Sequence, residues 1–144
     1  MADGQITYFD EGILAINGGV HDFDSDLFKV AWVNVLPVAG AVSPTLASHS
    51  ECTAGGNYAA GGFTMTAAAL ANAAGVTTHD FTSDILMVKH ASNPADVVAG
   101  LVYNTSKSNQ AIGWVEVKAA GADGTAGAIA VNWNALGVHT ATQV

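Results

Sequence analysis

From Val76 onward the chain is a succession of short apolar segments, each cut off by turn residues. Segments at 76–81, 85–89, 97–103, 111–118 and 127–134 are separated by Asn93-Pro94, by NTSKSNQ and by AAGADGTAG. Short apolar runs spaced roughly 8 to 12 residues apart, with turn signals between them, point to a sandwich or barrel of antiparallel strands. The segment 127–134 is the clearest. Ile129, Val131 and Trp133 share one face, and Ala128, Ala130, Asn132 and Asn134 share the other, a period of two. A further short strand is expected at 138–142.

The first half adds one strong strand and several ambiguous stretches. Residues 27–36 place Phe28, Val30 and Trp32 on one face and Val33 and Val35 on the other with Lys29, and Pro37 ends the run. Ahead of it, Ile6, Phe9, Ile13 and Ile16 have helical spacing, and Gly18-Gly19 is a stop signal, so a short helix is expected over 5–18 within an N-terminal arm, 1–19. Gly12 weakens that helix. Residues 37–50, PVAGAVSPTLASHS, have two prolines, small residues and no period, and read as an extended loop or contact arm. The Gly-Gly pairs of TAGGNYAAGG bracket Tyr58 and suit tight turns. Residues 62–70 read as a strand, but TAAALANAAG also reads as an alanine-rich helix, which propensity favours.

At 144 residues the whole chain, 1–144, is expected to form a single domain. Half of it is hydrophobic and only 11% is charged, against about a quarter in an average soluble domain. So little charge suits a surface partly covered by partners. Twelve carboxylates, four lysines and no arginine give a net charge of −8. Without a Lys/Arg cluster to neutralise phosphates, no nucleic-acid binding is expected. No run approaches a membrane span, and the start, MADGQITYFD, lacks the basic and apolar regions of a secretory leader. Cys52 stands alone and reads as a small buried hydrophobe.

The inventory of reactive groups is thin. Asp22, Asp24 and Asp26 alternate just before the strand and are the weak calcium candidates. Counted as an EF-hand loop they fail, because Leu27 stands where glycine is needed and Val33 where the bidentate glutamate is needed. The plainer reading is a turn that launches a strand. His21, His49, His79, His90 and His139 are scattered without metal-ligand spacing, so no metal site is assigned. His79-Asp80 lacks a Gly-x-Ser-x-Gly elbow, and TAGGNYAAGG fits neither a dinucleotide fingerprint nor a P-loop. No catalytic or cofactor-binding residue is assigned. Trp32, Trp114, Trp133, Tyr58 and Tyr103 read as core, with a sugar-binding platform as the alternative.

Four stretches together, HDFDSDLFKVAWVNV, NYAAGGFTM, GLVYNTSKSNQAIGWVEV and GAIAVNWNALGV, in this order behind a short helix, resemble small virion structural proteins of tailed bacteriophages. The resemblance extends over nearly the full length. It implies an all-β antiparallel sandwich, jelly-roll-like, with a short N-terminal helix, and it favours strand over helix at 62–70. It implies a capsid decoration or cement protein that binds the outer surface of the major capsid protein and stabilises the shell. Such a protein is no enzyme and needs no cofactor. A homotrimer on a symmetry axis is expected, made in the bacterial cytoplasm and residing on the virion. Within the 37–50 loop, Pro37, Val38, Val42, Pro44 and Leu46 are the expected contact residues. The alternatives are a tail or neck component, such as a tube or adaptor subunit, and a host-surface or glycan-binding module.

Overall fold

The computed structural model describes residues 5–65, 68–73, 76–81, 84–133 and 139–142, of which 68–73, 76–79 and 139–142 are described by their backbone. The described chain is mainly β, in antiparallel sheets, with one short α-helix. Its elements are β1 (Thr7–Tyr8), α1 (Asp10–Asn17), β2 (Phe28–Val33), β3 (Phe63–Thr64), β4 (Ala68–Ala73), β5 (Val76–Phe81), β6 (Ile85–Met87), β7 (Ala99–Asn104), β8 (Gln110–Glu116), β9 (Ile129–Val131) and β10 (His139–Thr142). Short 3₁₀ turns occupy Leu46–Ser48 and Thr105–Lys107. No helix among the described residues is long and apolar enough to cross a membrane.

The organising element is a five-stranded sheet in the order β1-β8-β7-β2-β3. Within it β2, between β7 and the short edge strand β3, is buried on both faces by the chain itself. Phe28, Val30 and Trp32 face the larger core, shared with Phe23, Tyr58, Met65, Phe81, Ile85, Met87, Ile129, Val131 and Trp133. Ala31 and Val33 face a second core, built with Phe9, Leu101, Tyr103 and Trp114 and closed by Ala39, Ala41 and Leu46. One central sheet therefore holds two cores. The paired strands β6 and β9 line the first, and the N-terminal segment with the 37–50 loop covers the second.

Several boundaries differ from the sequence expectation, each for a local reason. β2 ends at Val33. There its edge partner becomes the segment 50–52, with Cys52 N–H donating to the Trp32 carbonyl and Asn34 N–H to that of Ser50. Val35 and Leu36, expected to continue the strand, are exposed. The helix begins only at Asp10. Ile6 and Phe9 are buried ahead of it, where Thr7 and Tyr8 pair with β8, so their helical spacing is a coincidence of position. Gly12 is explained by packing: a Cβ there would collide with the Ile112 carbonyl, so glycine lets α1 lie directly on β8. The expected strand over 62–70 is split into β3 and β4, and the alanine-rich stretch 68–73 is extended rather than helical.

The loop 37–50 is part of the body. Asp10 N–H donates to the Ala39 carbonyl, Ala111 N–H to that of Pro44, and Leu46 N–H to that of Asn109. The Gly-Gly turn is clasped by tyrosines. Tyr58 hydroxyl accepts from Trp32 N–H at 3.0 Å and donates to Glu51 Oε1 at 2.8 Å. Glu51 Oε1 also accepts from Gly61 N–H, and Tyr103 hydroxyl donates to the Gly61 carbonyl, both at 2.6 Å. Burial first, and the Glu51 carboxylate second, push the Tyr58 phenol well above its ordinary pKa. Burial also drives the Cys52 thiol up to about 12, which leaves it a packing residue rather than a nucleophile.

Candidate interaction surface

The aspartate triplet folds as a hydrogen-bonded turn. Asp22 Oδ1 accepts from Asp24 N–H at 2.9 Å, and Asp22 Oδ2 accepts from the Ser25 hydroxyl at 2.7 Å. Asp26 Oδ2 accepts from Asp22 N–H at 3.0 Å and from the Asn104 amide at 2.7 Å. The carboxylates of Asp22 and Asp26 are thus occupied by the chain itself, while Asp24 is exposed. Among the described residues no group of three or more His, Cys, Asp and Glu side chains is placed to hold a metal.

Sequence reasoning missed the residue that anchors this turn. Asn104, at the end of β7, is fully buried. Its amide donates both to Asp26 and to His21 Nδ1 (3.1 Å), and its oxygen accepts from Ser106 N–H. The acceptor role of Nδ1 puts the ring proton of neutral His21 on Nε2, which is buried without a partner among the described residues. Burial holds the His21 pKa below the ordinary imidazole value, against the opposing pull of Asp26. The signal was present in the tyrosine-asparagine pair that opens the β7–β8 loop, since an asparagine there supplies both a donor and an acceptor. The site is a latch between two chain segments.

The five aromatics of the possible sugar platform, Trp32, Tyr58, Tyr103, Trp114 and Trp133, are all buried. They pack the cores and offer no stacking face to a ligand.

Four of the exposed large apolar side chains lie on α1 and the loop beside it; others, Val35, Leu36, Leu86 and Val88 among them, lie elsewhere. Val38 is 71% and Val42 81% exposed, and on α1 Leu14 is 73% and Ile13 44% exposed. Two bonds hold the loop along the first turn of α1: Asp10 N–H to the Ala39 carbonyl, and Ser43 N–H to Glu11 Oε2 at 2.8 Å. Next to this face runs an open groove of about 450 Å³, lined by Glu11, Leu14, Ala15, Gly18, Val20 and Gln110. Gln110 also borders a neighbouring polar groove of about 380 Å³, with Ser43, Thr45, Lys107 and Ser108. The positive φ of Ser43 and Ser108 shapes its rim.

Of the expected contact residues, Val38 and Val42 point outward. Pro37 and Pro44 are buried within the chain, and Leu46 is half-buried against the second core. The helix contribution, Ile13 and Leu14, was not foreseen. Leu14 lies off the 6-9-13-16 stripe, and that was the available hint.

No protein-family model matches this chain, and neither a curated protein nor a solved structure matches it.

Proposed function

We propose that this chain is a structural component of a bacteriophage particle, a decoration protein that binds the outside of the capsid and stabilises the shell. The four-motif resemblance carries the reading, together with the exposed apolar face of Ile13, Leu14, Val38 and Val42 on a chain only 11% charged. A decoration protein works by adhesion. Its surface must tolerate burial, and many copies at symmetry-related positions turn weak contacts into firm attachment. The reading includes a jelly-roll-like sandwich and a trimer on a symmetry axis, with the major capsid protein as partner. It requires no cofactor and no catalytic residue.

Antibody raised against the chain and applied to intact virions of its source tests this. Label spread over the head is the expected result. Label confined to tail or neck would make the protein a tube or adaptor component instead, and virions that bind no antibody would remove the reading.

A further inference from the structure

The chain's charge is unevenly placed. Between Glu51 and Asp80, and again after Asp123, no residue carries charge, although the chain as a whole has a net charge of −8. Those two stretches supply β4, β10 and the part of β5 from Val76 to His79. These strands form a separate three-stranded sheet, in the order β10-β5-β4. β5 is paired on both sides from Val76, opposite Ala73 and Thr142, to His79, opposite Leu70 and His139. No described strand pairs with the outer edge of β4 or of β10. The sheet is joined to the larger core through Phe81, whose ring packs on Phe23, Phe28 and Trp133 at 6.2, 5.9 and 5.3 Å.

Open edges attract strands from other molecules, and proteins that stay monomeric blunt them with charge, proline or a bulge. β4 reads AALANA and β10 reads HTAT, with no charged residue and no proline in either. Alanine is also a poor strand former, and by propensity this stretch prefers helix. An alanine strand held by a ladder on one side is weakly supported, and a second ladder would fix it. Elsewhere, two copies of an acidic chain would bring carboxylates together. Here they would not.

We propose that this sheet is where copies of the chain join, with β4 of one copy pairing head to tail with β10 of the next. The sheet then continues from copy to copy, and a heterologous contact of this kind closes into a ring when the rotation between copies allows it. The inference rests on the self-association contained in the reading above and locates it. It is separable from shell binding, because particle labelling reads attachment and the following experiment reads only the free protein.

Ala71→Glu in β4 and Ala141→Glu in β10 each place a carboxylate on one of the two edges. Light scattering after size exclusion should show an oligomer for the unaltered protein and for Ala47→Glu, which adds the same charge at an exposed site. Each edge variant alone should be a monomer with an unchanged near-ultraviolet aromatic spectrum. Mixed in equal amounts, the two should form a dimer, since one brings an intact β4 and the other an intact β10. A monomeric unaltered protein, folded edge variants that keep its mass, or a mixture that stays monomeric would each overturn the proposal. If an edge variant does not fold, hydrogen exchange on the unaltered protein decides. The β4 and β10 amides that point away from β5 should be protected in the oligomer and exposed on dilution, and rapid exchange of these amides at every concentration would refute the pairing.

Discussion

Asn104 shows how one side chain can fix two distant stretches. Its amide bridges Asp26 and His21 while its oxygen caps the following turn, so Asn104→Ala removes three hydrogen bonds at once and leaves the buried His21 Nδ1 without its donor. A loss of roughly 1–3 kcal/mol or more is expected in urea unfolding. The same latch sets the acid response. His21 is held neutral by burial, and its folded pKa lies below the unfolded value, so the unfolded chain takes up the proton first and stability falls as pH drops below about 6.5. Protonation would also turn Nδ1 into a donor and break its bond from Asn104. Asp22 is held low chiefly by the Ser25 hydroxyl and the Asp24 N–H. Asp26 is pushed up by burial but held low on balance by Asp22 N–H, Asn104 and Lys107. Both depressed carboxylates contribute stability that is present above about pH 4 and is lost as pH falls further. Melting curves from pH 7 to 3 should fall in two stages, and His21→Gln should remove the upper one. An unchanged upper stage would contradict this account of His21. At Gly62, φ is +69° and a Cβ would strike the Val30 carbonyl, so Gly62→Ala should cost more than about 1 kcal/mol and disturb the Tyr58–Glu51 clasp.

At the scale of elements, strands whose period matched their burial were legible in advance. β7 and β8 lie within the apolar runs between turn signals, and β9 lies within the alternating segment, with Ile129, Val131 and Trp133 sharing the buried face. Phe28, at the start of β2, stacks on Phe23 with ring centroids 4.9 Å apart, and Phe28→Ala should lower stability by roughly 3–5 kcal/mol in urea unfolding. What could not be read was decided by partners far along the chain. The end of β2 depends on the segment 50–52, and the start of α1 depends on β8 claiming Thr7 and Tyr8. The loop 37–50 shows no period because its job is irregular: it lays Ala39, Ala41 and Leu46 over the second core and turns Val38 and Val42 outward. Leu46→Ala should therefore destabilise the fold, while Val42→Glu should leave the melting temperature where it was. The candidate surface was half visible, since the loop could be nominated from its composition but the adjoining helix face could not. Where α1 rests on the loop depends on two hydrogen bonds, Asp10 to Ala39 and Ser43 to Glu11, that no local pattern announces.

As a whole, the molecule places its polar groups and its apolar exposure in opposite ways. Asp26, Glu51, the hydroxyls of Tyr58 and Tyr103 and the buried Asn104 hold loops, while Ile13 and Leu14 of α1 and Val38 and Val42 of the 37–50 loop are left in water. On the proposed reading the contact falls at the exposed Leu14 and Val42. The most direct measurement is co-sedimentation with capsids stripped of the protein, comparing the unaltered chain with the double variant Leu14→Glu/Val42→Glu after both are shown to melt at the same temperature. The unaltered chain should pellet with the shells and the variant should stay in the supernatant. Equal pelleting of the two, or an unaltered chain that never pellets, would contradict adhesion through this face.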